Sequence, residues 1–477
     1  MKHRAVNGFL VRFPFVLPAV LSLLSAGPAG AADPWASVPR EAVVLSKDFE
    51  SRSGAASGAP LKAWIYFTDK GIIDGVAYQS ALSRAMERFD GHARMRRQKT
   101  MGSELASYRD IPLHAPHVDG VLALGAKKRA ASRYLNAVSV EATLAVLGRI
   151  AELPFVRKIE PVRGFSRRPA LPDPARPAPA PSPGKRAYTI DYGGSLGPLE
   201  MMQVPALHDQ GYDGSGIRIG VLDTGFQRTH EALVEVNVIA ERDFINDDGN
   251  TAPEPGDPPG QHSHGTRILS LLAGYEPGEM MGPAFGAEYV LAKTEDTSQE
   301  VPIEEDYWVE GIEWADSIGA DIVTSSLGYS DWYTYADMDG KTATTTIAAD
   351  MAAANGILVC TSAGNEGDAE WTYVTAPADA DSTIATGAVW DDTTLVSFSS
   401  RGPTYDDRIK PDLVAQGVYV HSADPYDDHA YSWCHGTSCS NPLLAAAAAL
   451  VLQANPFLPP YTLIQSLKST ATQSASP

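Results

Sequence analysis

Along residues 187–477, apolar runs too short for helices alternate with stretches of helical spacing. Residues 217–222, 289–292, 321–325 and 357–360 read as buried strands, and residues 267–272, 308–318, 351–355 and 441–453 as helices or helix ends. Strands that are apolar along their whole length, separated by helices, predict a mainly parallel sheet covered on both faces. The fold class is therefore α/β. No period of solenoid length repeats.

The N-terminal part has a different rhythm. Residues 63–67 read as a buried strand, 75–97 as one helix ending in the basic cluster Arg94, Arg96, Arg97 and Lys99, 133–140 as a strand, 141–151 as a helix and 156–162 as a closing strand. This alternation predicts a small α+β sandwich of ferredoxin-like kind. From 169 to 184 nearly every second residue is Pro or Ala, which excludes ladder and helix and predicts an extended spacer. It ends at Lys185-Arg186, a candidate cleavage position.

At the start of the chain, Lys2, Arg4 and Arg12 precede an apolar run at 13–24 and the small residues Ala29-Gly30-Ala31, the pattern of a cleaved export signal. The run is too short for the roughly 30 Å of a bilayer core, and it contains Pro14 and Pro18. No later segment reads as a spanning helix, so stable membrane insertion is not expected. The expected units are a signal at 1–31, a small folded unit at 32–168, a linker at 169–186 and a large unit at 187–477. The expected location is secreted, extracellular or periplasmic.

Charge separates the same parts. Residues 1–186 hold 28 Lys+Arg and 15 Asp+Glu, a net +13, whereas 187–477 hold 10 and 43, a net −33. Two such parts would attract each other, the plain alternative being that the acidity keeps an exported protein soluble, and so acidic a surface argues against nucleic acid as a partner. Cys360, Cys434 and Cys439 allow one disulfide at most and have no zinc-ligand spacing. A bridge between Cys434 and Cys439 is expected to distort the intervening loop.

Three short islands carry the chemistry. Asp223 ends the 217–222 strand within Gly220-Val221-Leu222-Asp223-Thr224-Gly225, His264 opens His264-Gly265-Thr266, and Ser438 lies in Gly436-Thr437-Ser438-Cys439-Ser440-Asn441-Pro442. A serine nucleophile needs an imidazole to take its proton and a carboxylate to hold the imidazole's tautomer. Ser438 precedes an Ala/Leu-rich helix expected to begin near Asn441, where free amides stabilise negative charge; the plain alternative is a helix cap. His264 is preferred as base over His262, and His230 and His435 are read as surface or rim residues. Asn365, in Thr361-Ser362-Ala363-Gly364-Asn365, is the candidate oxyanion donor.

The order Asp, His, Ser and these motifs resemble the subtilases, the subtilisin-like serine peptidases. The resemblance implies a three-layer subtilisin-like domain and a secreted endopeptidase working through an acyl-enzyme. It implies that the N-terminal unit is a prosegment, chaperone and temporary inhibitor, and that the enzyme is a self-processing zymogen. It carries the catalytic roles onto Asp223, His264 and Ser438 and the oxyanion role onto Asn365. Substrate contacts fall on Ser326, Leu327 and Gly328, on Ser362, Ala363 and Gly364, and on Glu366 at the rim of the first specificity pocket, where basic side chains would be tolerated. Residues 397–404 and 410–413 are expected to place the nucleophile loop. No cofactor is required for the chemistry. Structural calcium is a family feature, and the oxygen-rich Asn246-Asp247-Asp248-Gly249-Asn250 is its candidate loop, although it misses the EF-hand spacing. The expected partners are polypeptide substrates and the chain's own prosegment, with the enzyme acting as a monomer.

Two departures stand out. Cys439 follows the nucleophile where the family commonly has Met, and the chain stops at Pro477 where members usually continue, which implies C-terminal truncation. The alternative from another class is a catalytically silent binding or inhibitory protein on the same fold; loss of a triad or oxyanion residue would favour it, and none is lost. A nucleotide site at Gly214-Ser215-Gly216 is excluded because those glycines precede their strand. A Cys439 nucleophile is disfavoured because Ser438 holds the triad register.

Overall fold

The computed structural model describes residues 33–39, 60–162, 164–165, 188–297, 303–330 and 333–472. The expected export signal and the Pro/Ala linker lie outside them.

The N-terminal unit is built from β1 (Leu61–Phe67), α1 (Gly75–Glu87), α2 (Gly91–Met101), α3 (Ala115–Leu122), β2 (Lys127–Ser132), β3 (Ala137–Ala142), α4 (Leu144–Ala151), β4 (Val156–Pro161) and the short β5 (Gly164–Phe165). Strands β2-β3-β1-β4 form one antiparallel sheet in that order, a ferredoxin-like arrangement. The expected single helix at 75–97 is two helices, because the Asp90 carboxylate accepts from the Ala93 N–H at 2.7 Å and caps a second start. The expected strand at 133–140 is a hairpin instead. Its turn ends at Asn136, whose left-handed φ of 52° asparagine tolerates better than most residues.

The C-terminal unit opens with α5 (Leu196–Met201) and α6 (Val204–His208), followed by β6 (Arg218–Asp223), β7 (Val238–Asp243) and α7 (Ser263–Ala273). Next come the small hairpin β8 (Tyr275–Glu276) and β9 (Met280–Met281), then β10 (Glu288–Lys293), β11 (Ile303–Glu304), α8 (Glu305–Ile318) and β12 (Ile322–Ser325). After α9 (Thr344–Ala354) follow β13 (Leu358–Ser362), β14 (Thr383–Val389), β15 (Leu413–Gln416), the hairpin β16 (Val420–Ala423) and β17 (Tyr431–Cys434), α10 (Thr437–Ala454) and α11 (Pro460–Thr470). Seven strands form one parallel sheet in the order β15-β14-β13-β12-β6-β10-β7. Helices α7, α10 and α11 pack on one face, and α8 and α9 on the other, which makes three layers. From β6 the chain goes to β7 at one edge, returns to β10 beside β6 and then crosses to β12 on the other side of β6, so the strand order reverses beside Asp223, where open sheets form their crevice.

By length and composition α10 could cross a membrane, contrary to the expectation that no later segment would. Most of it is buried, and it is the core helix of this unit.

The two units meet along α8. Asp306, Glu313 and Asp316 recur on one helix face and are buried against the basic N-terminal unit. Arg129 Nε donates to Asp306 Oδ2 at 3.0 Å, Arg97 to Asp316 at 2.6 Å and Arg133 to Asp316 at 3.1 Å. Arg96 also pairs with Asp316, and Tyr134 donates its hydroxyl to it at 2.8 Å. Burial raises the Asp316 pKa, but these three guanidinium groups outweigh that and hold it well below the ordinary carboxylate range. At the end of the unit, β5 pairs antiparallel with β11.

Candidate active site

Asp223 is the last residue of β6 and is fully buried. Its Oδ1 lies 2.7 Å from His264 Nδ1 and accepts from the Thr224 N–H at 2.8 Å. Its Oδ2 is buried and has no hydrogen-bond partner among the described residues. The carboxylate is thus committed to the imidazole and one amide, an arrangement that favours the His264 proton on Nδ1 and leaves Nε2 as the open acceptor. His264 is the second residue of α7. Gly265 follows it because a side chain there would collide with the Gly225 carbonyl.

Ser438 is the second residue of α10, which begins at Thr437 and not near Asn441. Its N–H makes no hydrogen bond among the described residues, as expected of a helix's first turn. Among those residues no hydrogen bond joins Ser438 Oγ to His264; such contacts commonly tighten only once substrate is bound. Helices α7 and α10 pack against each other, each carrying its residue in the first turn.

Asn365 faces the serine. Its Oδ1 accepts from the Thr437 N–H and hydroxyl, both at 2.9 Å, which turns Nδ2 towards the cleft. A Cβ on Gly436 would stand 2.9 Å from Ser438 Oγ and 3.4 Å from Asn365 Nδ2, so both groups border one point and only glycine leaves it open. Two unengaged donors, Asn365 Nδ2 and the Ser438 N–H, flank a serine hydroxyl at a helix start, a geometry suited to stabilising an oxyanion.

The flanking segments are held by main-chain bonds. Ser362 ends β13, the Ala363 N–H donates to Thr386 O at 2.9 Å, and the Ala363 carbonyl accepts from Thr375 at 3.1 Å. Across the cleft, Ser326-Leu327-Gly328 continues β12, and Tyr329 then pairs with Ala376. The Ser326 hydroxyl donates to the Ser438 carbonyl at 3.1 Å. Residues 397–404 back the Asn365 turn and not the nucleophile loop: Ser400 Oγ accepts from the Glu366 N–H at 2.9 Å, and the Ser400 N–H donates to Gly364 O at 3.0 Å. Glu366 itself is buried.

Residues 214–477 match the family model described as Subtilase family, and residues 62–173 match that described as Peptidase S8 propeptide domain, Bacteroidota. The chain belongs to the subtilase family. Subtilisin E of Bacillus subtilis (strain 168) is 32% identical over 288 residues, covering 60% of this chain and 67% of that protein. Subtilisin of Bacillus pumilus is also 32% identical over 288 residues, covering 60% and 93%. Among solved structures, fervidolysin from Fervidobacterium pennivorans, described as a keratinolytic enzyme related to subtilisin, gives a TM-score of 0.61 at 20% identity, covering 94% of this chain and 61% of that one. At that identity the likeness concerns the fold alone. Subtilases are serine endopeptidases, and they need no cofactor for catalysis.

Several expectations change in this subtilase. Cys434 and Cys439 form a disulfide with Cα atoms 6.0 Å apart, and Ser438 lies within the first turn of α10 beside it. The chain reverses between β17 and α10, which brings the end of the strand opposite the helix's first turn and lets Ser438 stay in it. Cys439, bridged and fully buried, cannot serve as a nucleophile. His230 is buried, not on the surface, with Nε2 2.8 Å from Ala430 O. His435 Nδ1 accepts from the Tyr419 N–H at 3.1 Å, and His262 Nε2 lies 3.0 Å from Pro425 O.

Of the oxygen-rich loop, Asp248 joins Asp243 and Glu254 in a cluster whose carboxylate oxygens lie within 4.8 Å of one another. The buried Lys293 ammonium lies 2.7 Å from Asp243 and 2.9 Å from Asp257, and Asn246 Nδ2 donates to Asp243 and Glu254 at 3.1 Å each. One ammonium, shared with Asp257, and a neutral amide leave these carboxylates net negative, so Asp243, Asp248 and Glu254 form an acidic cluster of calcium-binding type.

One residue was underrated from sequence. Asn441, read only as part of a motif, is fully buried; it donates to Thr324 Oγ1 at 3.0 Å and Ser325 O at 3.1 Å, and accepts from Thr386 Oγ1 at 3.1 Å. It ties α10 to β12 and β14. An amide at the head of an Ala/Leu-rich helix was the available signal.

Proposed function

We propose that this chain is an exported serine endopeptidase, made as a self-processing zymogen, in which Asp223, His264 and Ser438 form the triad. His264 Nε2 takes the proton of Ser438 as its oxygen attacks the peptide carbonyl, and Asp223 steadies the resulting imidazolium. The Ser438 N–H and Asn365 Nδ2 stabilise the oxyanion. The protonated His264 then protonates the leaving amine, and water, activated by the same imidazole, hydrolyses the acyl-enzyme. The substrate main chain adds as a strand along Ser326-Leu327-Gly328, with Ser362, Ala363 and Gly364 on its other side. Glu366 favours basic side chains in the first specificity pocket; equal rates on Lys-ending and Phe-ending peptides would remove that assignment.

The signal at 1–31 directs export to the outside or the periplasm. Residues 32–168 act as chaperone and inhibitor, 169–186 as linker with cleavage near Lys185-Arg186, and 187–477 as the monomeric enzyme. The 2.7 Å pairing of buried Asp223 with His264 carries the catalytic reading, and the ionic seam along α8 supports the zymogen. N-terminal sequencing and intact mass of the wild type beside Ser438→Ala test both. The expected result is a wild-type start near Ala187 and a mutant that keeps its N-terminal unit. Identical processing of the two would assign the cut to another protease.

A further inference from the structure

We propose that the Cys434–Cys439 disulfide braces the catalytic geometry, tying the helix of Ser438 to the helix of His264, so that reducing it lowers turnover. The inference rests on the reading of Ser438 as nucleophile and His264 as base.

The path is continuous. Cys439 is next to Ser438 in the first turn of α10, and its sulfur is bonded to that of Cys434 at the end of β17. Strand β17 pairs with β16, with Cys434 opposite Val420. This hairpin is fastened to α7: Arg267 donates to Ser422 Oγ at 3.2 Å and also to Ser432 Oγ, and the Ala423 N–H donates to Ser270 Oγ at 3.1 Å. Arg267 is three residues from His264 on the same helix. On its other side the nucleophile loop is held by Asn365 through Thr437 and by Ser326 through the Ser438 carbonyl. The Gly436 N–H also donates to Gly417 O at 2.8 Å, and the disulfide adds a covalent tie to the β16–β17 hairpin that is fastened to α7. A tie here governs how far Ser438 Oγ can drift from the imidazole, and a misplacement of about 1 Å costs roughly 100-fold in rate.

The chemistry balances with a dithiol as reductant. One thiolate attacks the sulfur of Cys434, the less buried partner at 6% exposure against 0% for Cys439, and Cys439 leaves as a thiolate that takes a proton. The second thiolate closes the reagent's own disulfide and releases Cys434, which is protonated in turn. The enzyme gains two electrons and two protons, and the dithiol is oxidised. Little exposure of either sulfur makes this slow in the folded enzyme.

The test uses the mature enzyme with dithiothreitol as the dithiol, intact mass to follow the bridge, peptide hydrolysis for kcat and KM, and labelling of Ser438 by a fluorophosphonate. On reduction, kcat is expected to fall roughly 10- to 100-fold while KM changes by less than about twofold, and reoxidation restores it. Cys434→Ala/Cys439→Ala is expected to show the same split without any reductant. Either species remaining folded with unchanged kcat overturns the brace, even if its Tm drops, because a purely stabilising bridge would move only Tm. Should the double variant not fold, reduction of the folded wild type decides alone. An oxidised wild type that neither hydrolyses peptides nor labels at Ser438 overturns the peptidase reading, and the brace's catalytic role with it.

Discussion

The Ser326 hydroxyl donates to the main-chain carbonyl of Ser438 at 3.1 Å. In an unbroken helix that carbonyl would accept from the residue four positions on, but that residue is Pro442, which has no N–H. The side chain from the strand end replaces the missing helical bond. Ser326→Ala should cost about 1 kcal/mol of stability and lower kcat several-fold, with Ser326→Thr close to wild type. Urea unfolding and steady-state kinetics check this; an unchanged midpoint and kcat would show that the bond holds nothing.

Asn365 has two duties that substitution can separate. Asn365→Ala removes both the acceptor of Thr437 and the Nδ2 donor, whereas Asn365→Asp keeps the acceptor and removes the donor. Both should lose about 100- to 1,000-fold in kcat with little change in KM, and only the alanine variant should also lose thermal stability. A full-rate Asn365→Asp enzyme would exclude the oxyanion role.

Asp316 holds the two units together through Arg96, Arg97 and Arg133. Removing one partner of a buried ionic network typically costs about 3–5 kcal/mol, so Asp316→Asn in the Ser438→Ala background should melt markedly earlier than its parent. Because the assembled carboxyl has a depressed pKa, its contribution is complete above the ordinary Asp range of about 4 and is lost as the pH falls below it. Calorimetry from pH 6 downward should show that loss, and the Asn variant should lack this share of it.

Glu310 on the same helix behaves in the opposite sense. Burial, partly offset by Lys128 and Arg242, raises its pKa to about 7. The folded protein therefore keeps a proton that the unfolded chain releases near the ordinary Glu value of about 4.3, so stability declines as pH rises from there towards 7. Glu310→Gln should raise Tm at pH 8 and leave it nearly unchanged at pH 4. A Gln variant as pH-sensitive as its parent over that window would refute the assignment.

Cys360 is the free thiol, fully buried in β13, and burial pushes its pKa far above the ordinary range. Since the thiolate is the reactive form, iodoacetamide should leave Cys360 unmodified in the native enzyme and alkylate it after denaturation. Mass spectrometry distinguishes the two; native alkylation would mean that the strand opens.

The local chemistry of the chain determined much of this protein. The apolar runs around Val221, Leu291, Val323 and Val359 dictate buried parallel strands because no face of them can meet water, and Asp223, His264, Ser438 and Asn365 each sit in a local context on which its proposed role rests. The charge imbalance between the two parts foretold their attraction, but not that Asp306, Glu313 and Asp316 of one helix would receive it. Caps and turns escaped the pattern because one residue decides them: Asp90 splits a helix that periodicity reads as continuous, and Asn136 turns what reads as a strand. What only the tertiary structure decided are the relationships across distance in sequence. Ser326 completes the bond that Pro442 forfeits, Lys293 pairs with Asp243 of the acidic cluster, and Cys434 reaches Cys439 through a chain reversal. Each depends on the direction of side chains that meet only after the sheet has formed, and spacing along a sequence carries no information about that direction.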